Sequence, residues 1–291
     1  MPPFSFLKGI LPGIVNKRPK PKSKSQTTNM KLETRPRDTA RATVESQLAK
    51  VPEVTLIFWI IKILATTLGE TGGDTVSMSM HLGYLIGTAI FAAIFVVAVI
   101  IQISARQFHP VIYWVTIIAT TTVGTTMADF ADRSLGIGYT GGTAILFALL
   151  MASLFVWHRT LGSVSIDTVS SPKSEAFYWV TIMFSQTLGT ALGDWTADSA
   201  GLEYIGAAIL FGSMLAAIAA AYYWTRISHT LLFWAAFILT RPLGAVVGDF
   251  LDKPHDHGGL DLSRYTASGA LVALITLCIF IFPHRPASRA H

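Results

Sequence analysis

Glu70 and Asp74 stand four residues apart in one apolar segment, and Asp129, Asp194 and Asp249 stand in three later segments of the same kind. A carboxylate at membrane depth is costly without a partner, and such groups mark ion or proton pathways. Four residues is about one helical turn, so Glu70 and Asp74 share a helix face. Thr66, Thr67, Thr71 and Thr75 add hydroxyls around them, and Gly69, Gly72 and Gly73 permit close helix approach or local unwinding that exposes carbonyls. Carboxylates, hydroxyls and carbonyls are hard oxygen ligands. They suit Mg²⁺, Mn²⁺, Ca²⁺ or an alkali cation, and suit Cu(I) poorly.

At the position of Glu70 the later segments carry Thr125, Thr190 and Ala245, so one segment alone holds the deep acid. Arg241 takes the place of Thr66, Thr121 and Gln186, and Pro242 after it removes a helical hydrogen bond and favours a kink. A buried arginine needs an anionic partner, and Glu70 or an aspartate of a neighbouring segment is the natural one. A fixed positive charge here disfavours a plain cation channel and suits a carrier in which ion or proton binding competes with a salt bridge. Lys62, three residues past Trp59, is expected to snorkel to the headgroups and is assigned no function. In a late loop, His255-Asp256-His257 offers two imidazoles and a carboxylate, a weak metal-capture patch, although a short run of this kind is more often a plain polar loop.

The elements that position these residues repeat. Trp59, Trp114, Trp179 and Trp234 are each followed by glycine ten residues on (Gly69, Gly124, Gly189, Gly244) and by aspartate fifteen residues on (Asp74, Asp129, Asp194, Asp249). The run from each tryptophan to its glycine compares closely across the four copies, and a second apolar stretch follows each, opening near Tyr84, Tyr139, Tyr204 and Tyr265. Each unit therefore reads as a helical hairpin. A hairpin crosses a bilayer twice, so all four copies share one orientation and form parallel repeats. The spacing leaves open whether they arrange as a ring or as two pairs.

With 52% hydrophobic and 13% charged residues in 291, the chain has the composition of a polytopic membrane protein. Eight spans are expected at about 54–75, 81–103, 111–131, 139–157, 176–197, 204–224, 230–251 and 265–283, each near the ~20 residues that cross a bilayer as helix. Continuous apolar runs exclude a barrel of alternating strands. The fold class is all-α: eight transmembrane helices in four hairpins, with repeats at about 51–108, 109–165, 174–228 and 229–283. If the tryptophans Trp59, Trp114, Trp179 and Trp234 anchor at one interface, Glu70 lies ~16 Å and Asp74 ~22 Å further along the helix.

Basic residues set the orientation. Eleven of the twenty-two lysines and arginines fall in residues 1–50, and Arg106, Arg159, Lys173 and Arg226 fall in loops after even-numbered spans. These sides, and both termini, are expected to be cytoplasmic in the cell (inner) membrane of a bacterium. Residues 1–50 read as a basic, Pro-rich, disordered tail, with Phe4 to Val15 as a Pro-broken interfacial stretch and Met30 as an alternative start; residues 284–291 read as a second tail. Neither tail suggests a nucleic-acid partner. Cys278 alone excludes an intrachain disulfide or a cysteine metal cluster.

The repeated tryptophan, glycine and aspartate resemble a bacterial integral membrane protein family described as four tandem repeats of unknown function, each with two transmembrane regions and a characteristic tryptophan. The resemblance covers roughly residues 51–283. It implies architecture and carries no activity. The residues themselves lead to a transporter for a hard cation, such as Mn²⁺ or Mg²⁺ and exchanged against protons, with no tightly bound cofactor and with the lipid bilayer and a small inorganic ion as partners. A pseudo-fourfold channel with a ring of Asp74, Asp129, Asp194 and Asp249, or a non-transporting scaffold or sensor, are the alternatives. No Walker pattern, nucleophile–base pair or zinc-protease helix is present, so an enzyme is not expected.

Overall fold

In the computed structural model the described residues are 50–287; the basic tail except its last residue, Lys50, which is buried, lies outside them, with the Phe4–Val15 stretch, Met30 and the last four residues. Eight long helices follow in order: α1 Leu56–Asp74, α2 Gly83–Ser104, α3 Pro110–Asp129, α4 Gly138–Leu161, α5 Pro172–Asp194, α6 Glu203–Trp224, α7 His229–Asp252 and α8 Arg264–Ile281. No strand occurs among the described residues. Seven of the eight are long and apolar enough to cross a membrane. The exception, α5, carries Lys173, Glu175, Ser185 and Gln186 and is shielded by its neighbours. The local sequence explains several starts. The Thr55 hydroxyl accepts from Phe58 N–H, Pro110 and Pro172 occupy first turns where no donor is needed, and Ser171 and Ser174 cap each other reciprocally.

The odd-numbered helices form a closed inner ring in which α1 packs on α3, α3 on α5, α5 on α7 and α7 back on α1. The even-numbered helices lie outside. Their main packing is not on the helix that precedes them in their own hairpin: α2 lies on α3, α4 on α5, α6 on α7, and α8 returns to α1, touching α7 only near its own start. Each repeat thus lends its second helix to the next repeat. Outer-helix side chains such as Leu85, Ile100, Phe155, Ile209, Leu277 and Phe280 are exposed and make an apolar belt.

The repeated glycine closes the inner ring. A Cβ on Gly69 would collide with Thr121, on Gly124 with Gln186, on Gly189 with Arg241 and on Gly244 with Thr66. Every partner stands seven residues past its own tryptophan, on the next inner helix of the ring. The side chain seven past one tryptophan fills the gap left by the glycine ten past the previous one. Without a hydrophobic drive between helices in lipid, this close dispersion packing is what holds them together.

At the tryptophan end an aromatic cluster fills the ring. Phe58, Tyr113, Tyr178 and Phe233, each one residue before its tryptophan, are buried, and the Tyr113 and Tyr178 hydroxyls lie 2.7 Å apart. Trp114, Trp179 and Trp234 are at most 4% exposed, and Trp234 Nε1 donates to the Val164 carbonyl. Their side chains therefore point inward rather than into headgroups, which corrects the expectation of four interface anchors. Trp59 alone keeps partial exposure, because it borders an apolar groove of about 460 Å³ among α1, α6 and α7.

At the aspartate end, α1, α3 and α5 each pass directly after their aspartate into a five-residue π turn, Thr75–Ser79, Phe130–Ser134 and Trp195–Ser199. Three of the hairpin turns then use two left-handed residues: His81 and Gly83, Gly136 and Gly138, Gly201 and Glu203. Glycine takes four of these six places because a side chain rarely adopts that backbone. In the fourth repeat α7 runs on as α-helix through Pro242 to Asp252, and a longer loop follows.

Candidate functional site

Residues four apart on each inner helix form a ridge that packs against the preceding helix of the ring. From the tryptophan end this ridge carries Lys62 with Ile117, Ile182 and Phe237; then Thr66, Thr121, Gln186 and Arg241; then Glu70, Thr125, Thr190 and Ala245; then the four aspartates. All of these residues but Ile117, Ile182, Phe237 and Ala245 are polar, and all sixteen are buried. The next step along the ridge, into the turns, reaches Arg133 and Lys253.

Arg241 crosses the middle of the ring. Its Nη2 donates to Glu70 Oε2 at 2.8 Å, and also to the hydroxyls of Thr125 and Thr190, so one nitrogen touches all three other inner helices. Nη1 reaches the Thr66 carbonyl at 3.4 Å. The partner expected from sequence is the partner found. Thr125 Oγ1 also lies 3.3 Å from Glu70 Oε2. Gly248 leaves room for Glu70, since a Cβ there would meet its side chain. Thr67 and Thr71 do not join this cluster. Thr67 donates to the Ile63 carbonyl, and Thr71 Oγ1 accepts from Ser268 on α8, so Thr125 and Thr190 supply the hydroxyls instead.

One turn further on, the aspartates converge. Carboxylate oxygens of Glu70, Asp74 and Asp129 lie within 4.8 Å of one another, and so do those of Asp74, Asp249 and Asp252. Lys253 Nζ lies 2.5 Å from Asp74 Oδ2 and 3.0 Å from Asp249 Oδ1. Arg264 Nε lies 3.2 Å from Asp252 and 3.8 Å from Asp74. Arg133 lies 3.1 Å from Asp129 and 3.6 Å from Asp194. Five carboxylates thus share three cationic groups. For Lys253, which follows the end of α7, burial pulls the ammonium pKa down but Asp249, Asp74 and Asp252 push it further up, so it stays well above the ordinary lysine value of 10.5.

Several contributors were not legible as site residues. Arg133, Lys253 and Arg264 belong to no motif of their own, although the four-residue ridge that starts at the tryptophan runs on to the first two. Lys62 does not snorkel: it is fully buried, with Nζ 4.2 Å from the centre of the Phe237 ring. A second buried pair, Lys50 with Glu175 at 2.7 Å, ties the segment before α1 to α5 at the tryptophan end. The His255–His257 patch forms an exposed single turn, with His255 Nδ1 2.9 Å from the Gly259 carbonyl and His257 4.0 Å from Asp256. It stays apart from the carboxylate clusters.

No curated protein and no solved structure matches the chain. A family model described as a repeat of unknown function (DUF347) matches four consecutive stretches, residues 57–108, 112–163, 177–228 and 232–285. Each stretch coincides with one tryptophan-led hairpin. With most of its length accounted for by these four copies, the chain belongs to the DUF347 repeat family.

Proposed function

We propose that this multi-pass protein carries a hard inorganic cation, divalent in the manner of Mn²⁺ or Mg²⁺, across a bacterial inner membrane in exchange for protons. The observation that carries the reading is the charge imbalance at the aspartate end, where five buried carboxylates share three cationic groups. Two negative charges remain on these five, enough for a divalent ion or two protons to balance, and Asp132, buried in the same turn as Arg133 with neither oxygen hydrogen-bonded, adds a further acid. The oxygens lie close enough for one ion to touch three of them, and an all-oxygen donor set suits hard cations. Lys253 and Arg264 act as internal competitors: an entering ion displaces them from Asp74, and they return when it leaves.

Arg241 argues against an open channel. Held by Glu70, Thr125 and Thr190 from three helices, it occupies the middle of the ring and would repel a permeating cation. The basic residues Arg106, Arg159, Lys173 and Arg226 flank the tryptophan ends of the helices, which supports placing that end, and both termini, in the cytoplasm. A static clamp is the second reading, favoured by the ion pair that each repeated aspartate already makes.

Flux into proteoliposomes holding the purified protein, across Mn²⁺, Mg²⁺, Ca²⁺ and Na⁺ with and without a pH gradient, tests the proposal. Saturable, proton-linked uptake of one cation that falls in Asp74→Asn and Glu70→Gln supports it. No uptake of any of the four, from protein shown to be folded, leaves the clamp.

A further inference from the structure

The tryptophan-end half of the ridge has the opposite charge balance. From the aromatic cluster up to Glu70 its charged residues are Lys62, Arg241 and Glu70, and Glu70 is spent on Arg241. Lys62 is left without a counter-charge, with no exposure to solvent and no acceptor among the described residues. Its nearest aid is the Phe237 ring, a weak substitute for a counter-charge in a medium of low dielectric.

Lys62 is not alone in lacking an acceptor. Thr121 Oγ1, Gln186 Nε2 and Arg241 Nε are also buried without a hydrogen-bond partner. These three residues stand at equivalent positions on α3, α5 and α7, one turn past the level of Lys62 on α1, so each inner helix contributes one donor. Thr121 packs over Gly69 of α1, and the Arg241 guanidinium rests against the Thr66 carbonyl of α1, one turn from Lys62. The fourth residue of that level, Thr66, is already satisfied by the Ile63 and Thr240 carbonyls. Lys62, Arg241, a hydroxyl and an amide therefore leave hydrogens unmatched at two adjacent levels of the ring, against Gln186 Oε1 and the Thr121 hydroxyl oxygen as the unpaired acceptors of those levels. Interiors rarely leave so many donors unmatched.

We propose that this region is a binding site for one small monovalent anion of the halide class, held by the Lys62 ammonium, Arg241 Nε–H, the Thr121 hydroxyl and the Gln186 amide. One negative charge neutralises the surplus of this half. A monoatomic ion, which imposes no plane on its donors, also suits a set carried on four different helices. The site is independent of the cation reading: it concerns the other half of the ring and stands whether or not the protein transports anything.

The test is thermal unfolding of the purified full chain in detergent, in sodium chloride or bromide against sodium gluconate at equal ionic strength. The expected result is a halide-dependent rise in Tm that saturates, kept in Lys62→Arg, absent in Lys62→Met, and shifted to about tenfold higher halide concentration in Gln186→Leu, the size expected when one donor to an anion is lost. Crystals grown in bromide should show one anomalous peak beside Lys62 Nζ. If Lys62→Met fails to fold, Gln186→Leu and Thr121→Val carry the comparison. A wild-type Tm indifferent to halide, a halide response unchanged in these variants, or a Lys62 nitrogen resonance of a neutral amine that halide leaves unaltered would each overturn the proposal.

Discussion

The two halves of the inner ring are built from the same repeat on the same four helices, yet they carry opposite charge. The aspartate half has six buried carboxylates, Asp132 among them, against three cations; the ridge of the tryptophan half has Lys62 and Arg241 against Glu70, beside the self-balanced pair Lys50–Glu175. The repeat itself supplies only the four aspartates and the glycines. Everything that sets the sign elsewhere on the ridge is an exception to the repeat: Lys62 and Glu70 in α1 and Arg241 in α7. A fourfold scaffold thus provides equivalent places, and single substitutions at those places polarise the ring along its axis.

The joint between the halves is the place to break this contrast hardest. Arg241→Leu leaves Glu70 buried without a counter-charge, and unfolding in detergent should show a loss of ~3–5 kcal/mol; adding Glu70→Leu should restore much of it, because removing a whole buried pair is often nearly neutral. The glycine contacts come next. Gly244→Ala would drive a Cβ into Thr66 and Gly189→Ala into Arg241, each expected to cost ~1–3 kcal/mol of stability by overpacking, while Gly212→Ala on outer helix α6 meets nothing within 4 Å and should raise Tm slightly. Lys253→Met sharpens the imbalance of the aspartate half, and calorimetric titration with Mn²⁺ should then show binding tightened by about tenfold. Binding unchanged by that substitution would mean the carboxylates do not meet the ion.

A smaller effect concerns pH. Because the Lys253 pKa is raised in the fold, its pairing stabilises fully below 10.5 and is lost only as pH rises through the higher folded value. Tm should therefore show no loss from this group between neutral pH and pH 10. Smallest of all, the double change His255→Ala, His257→Ala should leave Mn²⁺ affinity unmoved and stability within about 0.5 kcal/mol, as for exposed loop residues generally.

The helices, their four-copy repetition and the Arg241–Glu70 pair were legible because each rests on a local rule: span length, spacing, and the need of a buried charge for a partner. Lys62 was misread because snorkelling assumes that a lysine near a helix end faces lipid. Its ridge position, three past the tryptophan and four before the Thr66 level, places it inside, and only the handedness of ring closure settles which face is inside. The tryptophans were misread for the same reason. Arg133, Lys253 and Arg264 stand in or beside turns, where charge ordinarily reports topology. The π turns and the long fourth loop fold them back over the aspartates, and no propensity marks a π turn in advance. The separation of each outer helix from its own hairpin partner is likewise a tertiary choice that equal repeat spacing cannot express.

That exchange of outer helices bears on how the chain is made. A hairpin emerging into the membrane cannot bury its first helix with its second, so each new pair must wait for the next to arrive. α1 waits longest: its flanks are completed by α7 and α8, the last two helices of the bundle. The helix that holds both Lys62 and Glu70 is therefore the one that lingers without its final neighbours during synthesis, and its insertion depends on early contact with α3 or on retention by the insertion machinery until Arg241 is available. A chain interrupted after the third repeat would present that polar helix to lipid, which makes it a natural substrate for membrane quality control.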